Sequence, residues 1–329
     1  MPHDGASLGN FHGITRPIRA GIAWDCKRSD MGGADMTDAK ELTIALGGRW
    51  HGRYGAAPCP VCQPEQKHGQ NALTLADGNN GRLMLNCKKS ACAFLDILAA
   101  AGLRSGDYTP PDPATIAQRK AQQRDDAEKR ATQAKRLWLE AQPIAGTLAE
   151  TYLRGRGITT TLPATLRFHP ECWHGPTARR LPAMVAAVQG AGLPAVHRTY
   201  LRPDGSGKAD IDPPKAMLGA VAGGAVRLTE GLGPLVVAEG IETALSLASG
   251  LLRTPATVWA ALSTSGIRGL NLSPTASRLT IAPDGDAPGR EAANALAERA
   301  DALGWQVSLL PAPDGRDWND ILTKKGEAA

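Results

Sequence analysis

No window of the chain approaches the roughly 18 consecutive apolar residues that a membrane span requires. The opening stretch MPHDGASLGNFHGITRPIRAG likewise lacks the apolar run that heads a secretory signal. These two absences predict a cytoplasmic protein without membrane contact. Internal repeats and low-complexity tracts are also missing, which argues against stacked-repeat architectures. Neither sign of charge dominates: 37 Lys and Arg against 32 Asp and Glu leave a formal net charge of +5, compatible with a polyanionic partner and too small to identify one. Cysteine is sparse, at six residues, and in a reducing compartment these are expected to be metal ligands or buried thiols rather than disulfides.

What is present is a chain of 329 residues, room for about two domains at roughly 150 residues each, with the 42% hydrophobic content of a packed interior. Residues 1–35 show no helical or strand period and read as a mobile extension. Residues 36–105 open on a helix start at Thr37 or Asp38 and continue as short strand-like pieces, among them ALTLADGNNGRLMLNC, in which two alternating runs flank an Asn-Asn-Gly turn. Residues 106–145 shift to strong helix formers behind PPDP and predict a long, mostly exposed helical linker. Residues 146–228 read as a mixed α/β lobe. In residues 229–329 apolar runs such as PLVVAEG and RLTIAPDGD alternate with helices, the pattern of a parallel sheet flanked by helices. The expected fold class is α/β.

Cys59-Pro-Val-Cys62 and Cys87-Lys-Lys-Ser-Ala-Cys92 stand at opposite ends of that hairpin. Two cysteine pairs on turns can converge as four thiolates around one structural Zn²⁺, a cross-link that a unit of roughly 50 residues needs to compensate for its small core. Four buried free thiols are the plainer reading. His68 reads as a surface residue beside a complete cysteine set, and Cys26 and Cys172 as ordinary thiols. Lys88 and Lys89, inside the second knuckle, read equally as phosphate contacts or as solvated lysines.

Glu239 closes the run LVVAE, and Asp284 and Asp286 close LTIAPDGD. Ligands bind beyond the carboxyl ends of strands in parallel α/β sheets, so these acids are expected to share one edge. Like charges gathered there call for a cation or a shifted pKa, and oxygen ligands favour Mg²⁺ or Mn²⁺. Asp317 and Asp320, in GRDWNDIL, either complete a second metal site or serve as helix caps.

The strand-ending Glu239-Gly240 and the Asp284-Gly285-Asp286 turn followed by Gly289 resemble the Toprim domain, shared by primases, topoisomerases and small nucleases. With the CPxC and Cx4C knuckles ahead of it, and with Tyr152-Leu-Arg154-Gly-Arg156-Gly-Ile158 and Asp317-Trp-Asn-Asp320, the chain resembles phage- and plasmid-type primases over about residues 40 to 325. The resemblance implies a DNA primase: a zinc ribbon and a Toprim domain acting on a single-stranded DNA template with ribonucleoside triphosphates. Glu239, Asp284 and Asp286 would then hold catalytic Mg²⁺ or Mn²⁺. Arg198, Arg202, Lys208, Lys215 and Arg227 would track the template or neutralise triphosphate, or form a plain solvated face. His197 reads as a strand residue. No GxxxxGK[ST] motif exists, so unwinding is expected from a separate replicative helicase. The alternatives are a Toprim metal-dependent nuclease and a non-catalytic DNA-binding replication scaffold. A topoisomerase would need a tyrosine nucleophile in a further domain, and Tyr54, Tyr108, Tyr152 and Tyr200 fall in none.

Overall fold

The computed structural model describes residues 38–65, 67, 69–78, 82–104, 108 and 110–327, with side chains to residue 324. The extension read over residues 1–35, Cys26 and His68 lie outside the described residues. The chain divides into two compact units, with the division falling between Ile116 and Ala117.

In the first unit α1 (Ala39–Ala45) starts behind Asp38, whose carboxylate accepts the Glu41 N–H at 2.9 Å, a satisfied N-cap. Strands β1 (Arg49–Trp50), β2 (Gly55–Ala57), β3 (Leu73–Asp77) and β4 (Leu83–Cys87) form an antiparallel sheet in chain order, and α2 (Phe94–Ala100) follows. The β3–β4 hairpin read from alternation is present, paired from Leu73 opposite Cys87 to Asp77 opposite Leu83. Leu73 and Leu75, two residues apart, turn to one face and pack with Leu42, Ile97 and Leu98.

Helix α3 (Pro113–Glu140) begins where Asp112 accepts both the Thr115 N–H and its hydroxyl. The sequence reading makes it an exposed connector, and its first turns are exposed. Its last turns are not: Ala134, Leu137 and Trp138 pack on Val185, Val196 and Leu218. The small Ala131 and Ala134 permit that approach, and the surrounding charged residues mask it in the sequence.

Strand β5 (Gln142–Pro143) and helix α4 (Leu148–Gly155) lead into β6 (Leu166–His174), β7 (Arg179–Val188), β8 (Ala195–Tyr200) and β9 (Lys215–Leu218), and β5 to β9 form an antiparallel meander. The second sheet of this unit takes β10 (Val226–Thr229), β11 (Leu235–Ala238), β12 (Thr257–Ala260), β13 (Arg278–Ala282) and β14 (Gln306–Leu309) in the order β10-β12-β11-β13-β14. All its pairs are parallel except β10 with β12. Between strands run α5 (Ile241–Ser246), which continues into a π-helical turn Leu247–Leu251, α6 (Thr264–Gly269) and α7 (Ala287–Ala302), and α8 (Trp318–Glu327) closes the chain.

Central β11 is buried at all four positions and reads as a continuous apolar run because both faces are covered. Leu235 and Val237 pack with Ile267, Ile281 and Leu296 on one face. Val236 and Ala238 pack with Leu153, Leu166, Met184 and Leu245 on the other, so the meander and the parallel sheet share one core.

Asn319 is 2% exposed, and its amide donates to the Arg156 carbonyl and to Ser246 Oγ, each at 2.9 Å. It ties the start of α8 to the ends of α4 and α5. Replacing Asn319 by Ala removes both hydrogen bonds, the one to Ser246 fully buried, and should lower stability by about 1–3 kcal/mol, read from urea unfolding, whereas Asp320→Ala on the exposed side should cost less.

Candidate functional site

Ala238 of β11 and Ala282 of β13 are partners in a parallel ladder, so Glu239 and Asp284 leave the sheet side by side at its carboxyl edge. Asp286 caps α7, accepting the Gly289 N–H at 2.7 Å. The glycine between the two aspartates is required by the chain that passes beside it: a Cβ on Gly285 would stand 1.9 Å from the Pro313 carbonyl oxygen. Gly285 N–H donates to the Arg316 carbonyl and Gly315 N–H to the Gly285 carbonyl, both at 2.8 Å. This pair of hydrogen bonds between loops delivers Asp317 to the rim.

Burial first, then the charges of Glu239, Asp317 and Asp286, push the Asp284 carboxyl up to about 7. Thr243 Oγ1, 3.4 Å from Asp284, offsets part of this. Burial and the Asp286 charge also raise Glu239, with Lys215 opposing them. Neighbouring acids thus act on two of the rim carboxyls: Asp286 on both Glu239 and Asp284, and Glu239 and Asp317 on Asp284. Asp320 is used differently, since its carboxylate accepts the Asp317 N–H while Asp317 accepts the Asp320 N–H, a reciprocal cap on α8. Among the described residues no three carboxylates come within 4.8 Å of one another.

One acid escaped the sequence reading. Glu242, in the first turn of α5, is buried; Tyr152 Oη donates to its Oε1 at 2.7 Å, Lys208 Nζ lies 3.5 Å from Oε1 and Lys215 Nζ 3.4 Å from Oε2. Burial alone would raise its pKa, but Lys215, Lys208 and the tyrosine hydroxyl outweigh it and hold Glu242 well below the carboxylate range. The remaining cations do not join this group. Arg202 pairs with Asp210 at 2.9 Å, Arg198 donates to the Trp173 and Met217 carbonyls, and exposed Arg227 lies over the Trp259 ring at 4.9 Å. His197 is buried in β8, where burial pulls it down to about 4.

In the first unit the sulfur atoms of Cys59, Cys62, Cys87 and Cys92 all lie within 4.8 Å of one another, with Cys62 and Cys87 3.5 Å apart. A tetrahedron with metal–sulfur bonds of about 2.3 Å has sulfur–sulfur edges of about 3.8 Å, so the set fits a thiophilic divalent ion. Burial raises Cys87, yet the N–H groups of Ser90, Cys92 and Lys89 outweigh it and bring the thiol down to about 6. Cys92 goes the other way, pushed up to about 12 by burial and its sulfur neighbours. Lys88 and Lys89 are exposed on the knuckle, and Cys172 stands outside the quartet on β6.

Residues 234–328 match the Toprim domain family, and residues 128–228 match a domain of unknown function, DUF7146. No curated protein matches the chain. Among the solved structures that are similar in part, three can be described. A DNA primase domain from Pseudomonas aeruginosa is 21% identical, with 55% of this chain and 69% of that chain covered and a TM-score of 0.35. The zinc-binding and RNA polymerase domains of the Aquifex aeolicus primase are 13% identical, with 90% and 81% covered and a TM-score of 0.38. The RNA polymerase domain of Mycobacterium tuberculosis primase DnaG is 16% identical, with 62% and 81% covered and a TM-score of 0.36. Residues 234–328 are a Toprim domain, with a mostly parallel sheet flanked by helices.

The raised Asp284 carboxyl gives a signed pH dependence. Between the ordinary value of 3.8 and about 7 the folded chain keeps a proton that the unfolded chain has released, so metal-free stability should fall as pH rises through that window and level off above it. Melting temperatures across the window should show the decline, and Asp284→Asn should flatten it.

Proposed function

We propose that the protein is a DNA primase, joining ribonucleotides into short RNA primers on single-stranded DNA by metal-assisted nucleotidyl transfer. The observation that carries this reading is the rim of a Toprim domain on which the charges of Asp286 and Asp317 bear on Glu239 and Asp284 while Lys215 stands beside Glu239. Such a rim suits divalent cations, which relieve the repulsion and connect carboxylates to nucleotide phosphates. Glu239, Asp284 and Asp286 would hold Mg²⁺ or Mn²⁺, with Asp317 contributing to a second position and Asp320 serving as its cap partner. When bound, these ions supply charge neutralisation for the attacking and leaving oxygens.

The protein's own side chains supply the rest. Lys208 and Lys215 offer ammonium groups to the triphosphate, and Arg198, Arg202 and Arg227, with Lys88 and Lys89 on the knuckle, offer contacts to the nucleic-acid backbone. In this reading the cysteine quartet holds one structural Zn²⁺, which stands in for core that the small first unit lacks. A separate replicative helicase would open the duplex, and the protein would work in the cytoplasm.

The test is a gel assay of the full chain with four ribonucleotides, Mg²⁺ or Mn²⁺ and single-stranded templates. New labelled oligomers are expected, and Glu239→Gln should reduce them about a hundredfold or more while leaving DNA binding in place. Shortened DNA without new oligomers would establish a nuclease instead; DNA binding with neither product would establish a scaffold. For the cysteine set, Cys59→Ser with Cys87→Ser should remove one zinc per chain from the native mass spectrum.

A further inference from the structure

Glu242 has 6% of its side chain exposed, a costly place for a carboxylate unless it is paired. One cation would neutralise it. The fold brings two, from different segments: Lys208 from the loop after β8 to one oxygen and Lys215 from β9 to the other. Neither lysine is sealed in with it, since 32% and 36% of their side chains remain open to solvent. The group therefore carries a surplus positive charge with an accessible side.

Its surroundings are polar and incompletely paired. Thr199 stands opposite Lys215 in the β8–β9 ladder, and its Oγ1 is buried without a hydrogen-bond partner, as are His197 Nδ1 and Arg156 Nε. Glu242 also follows Glu239 by three residues, across the Gly240 cap of α5, and Thr243, the next residue, reaches Asp284. A single short segment thereby carries an acid of the rim, a contact to a second, and the partner of both lysines.

We propose that Glu242 is a positioning residue, which clamps the Lys208 and Lys215 ammonium groups beside the acid-bearing rim as a paired receiver for the polyphosphate of the incoming nucleotide. The role rests on the polymerase reading above. A carboxylate that merely filled space in the core would need neither two partners nor their opening to solvent.

The groups that face Lys208 are Glu242 from α5, Lys215 from β9, Arg156 at the end of α4 and His197 from β8, and those that face Lys215 include Glu242, Glu239, Lys208 and His197. Burial pulls Lys208 down, Lys215 and Arg156 add to the pull, and Glu242 opposes it. Removing the Glu242 charge leaves two neighbouring ammonium groups without their shared anion, so Lys208 should shed its proton at lower pH.

The experiment titrates the full chain with inorganic tripolyphosphate, without metal, by calorimetry at about pH 7 and about pH 9. Wild-type affinity should persist at the higher pH. Glu242→Gln, which keeps an acceptor for the Tyr152 hydroxyl and loses the charge, should bind no more weakly than wild type at the lower pH and about tenfold more weakly at the higher. Glu242→Asp should recover part of the loss. Tyr152→Phe should move the profile the same way by less, and it provides the reading if Glu242→Gln does not fold. Profiles of Glu242→Gln and Tyr152→Phe that superimpose on wild type overturn the proposal, and so does a wild-type chain that binds no tripolyphosphate. A chain that shows the Glu242-dependent profile and makes no primer keeps the lysine clamp and loses the polymerase reading alone.

Discussion

Mutual repulsion among carboxylates at one edge of a parallel sheet is the constraint around which the second unit is organised. Two unit charges about 4 Å apart repel by about 4 kcal/mol at the effective dielectric of a protein surface, so acids drawn together must be held by the fold. The holding is visible in β11 and β13, whose register places Glu239 and Asp284 at neighbouring strand ends. It is visible again in the bonds of Gly285 to the loop 313–316, which bring Asp317 into the same field. The strain appears as carboxyl groups raised above their ordinary range, a state that a divalent cation relieves.

The positive charge near this rim is held by a related device. Lys208 and Lys215 would repel one another if left alone, and buried Glu242 lies between them with the Tyr152 hydroxyl steadying one of its oxygens. Tyr152 belongs to α4 and the lysines to the meander side, while Glu242 belongs to the Toprim domain. The ion group and the Asn319 bonds to Arg156 and Ser246 therefore join segments that the shared apolar core also joins. Apolar burial supplies most of the cohesion, and these polar ties set the alignment.

The legible parts of the site were those whose signal is local. Cysteine spacing around an alternating hairpin pointed to the quartet, and acids closing apolar runs pointed to the rim. Asp320 was less legible, since an acid near a helix start serves equally as ligand or cap, and here its carboxylate accepts an N–H. The five cations of residues 198–227 looked alike in sequence. They separate in space: Lys208 and Lys215 turn to Glu242, whereas Arg198, Arg202 and Arg227 meet carbonyls, Asp210 and an indole ring. Glu242 itself was overlooked because nothing local distinguishes a buried glutamate from an exposed one in a helix's first turn.

Sequence alone determined the elements and their periods: apolar runs that must be covered on both faces, a hairpin flanked by thiols, and acids at strand ends. These follow from interactions between near neighbours in the chain, which patterning and turn chemistry record directly. Tertiary structure alone decided which charges meet. Lys208, Lys215, Tyr152 and Glu242 come from positions up to 90 residues apart, and only the packing of the meander against α5 brings their atoms together in a medium of low polarity.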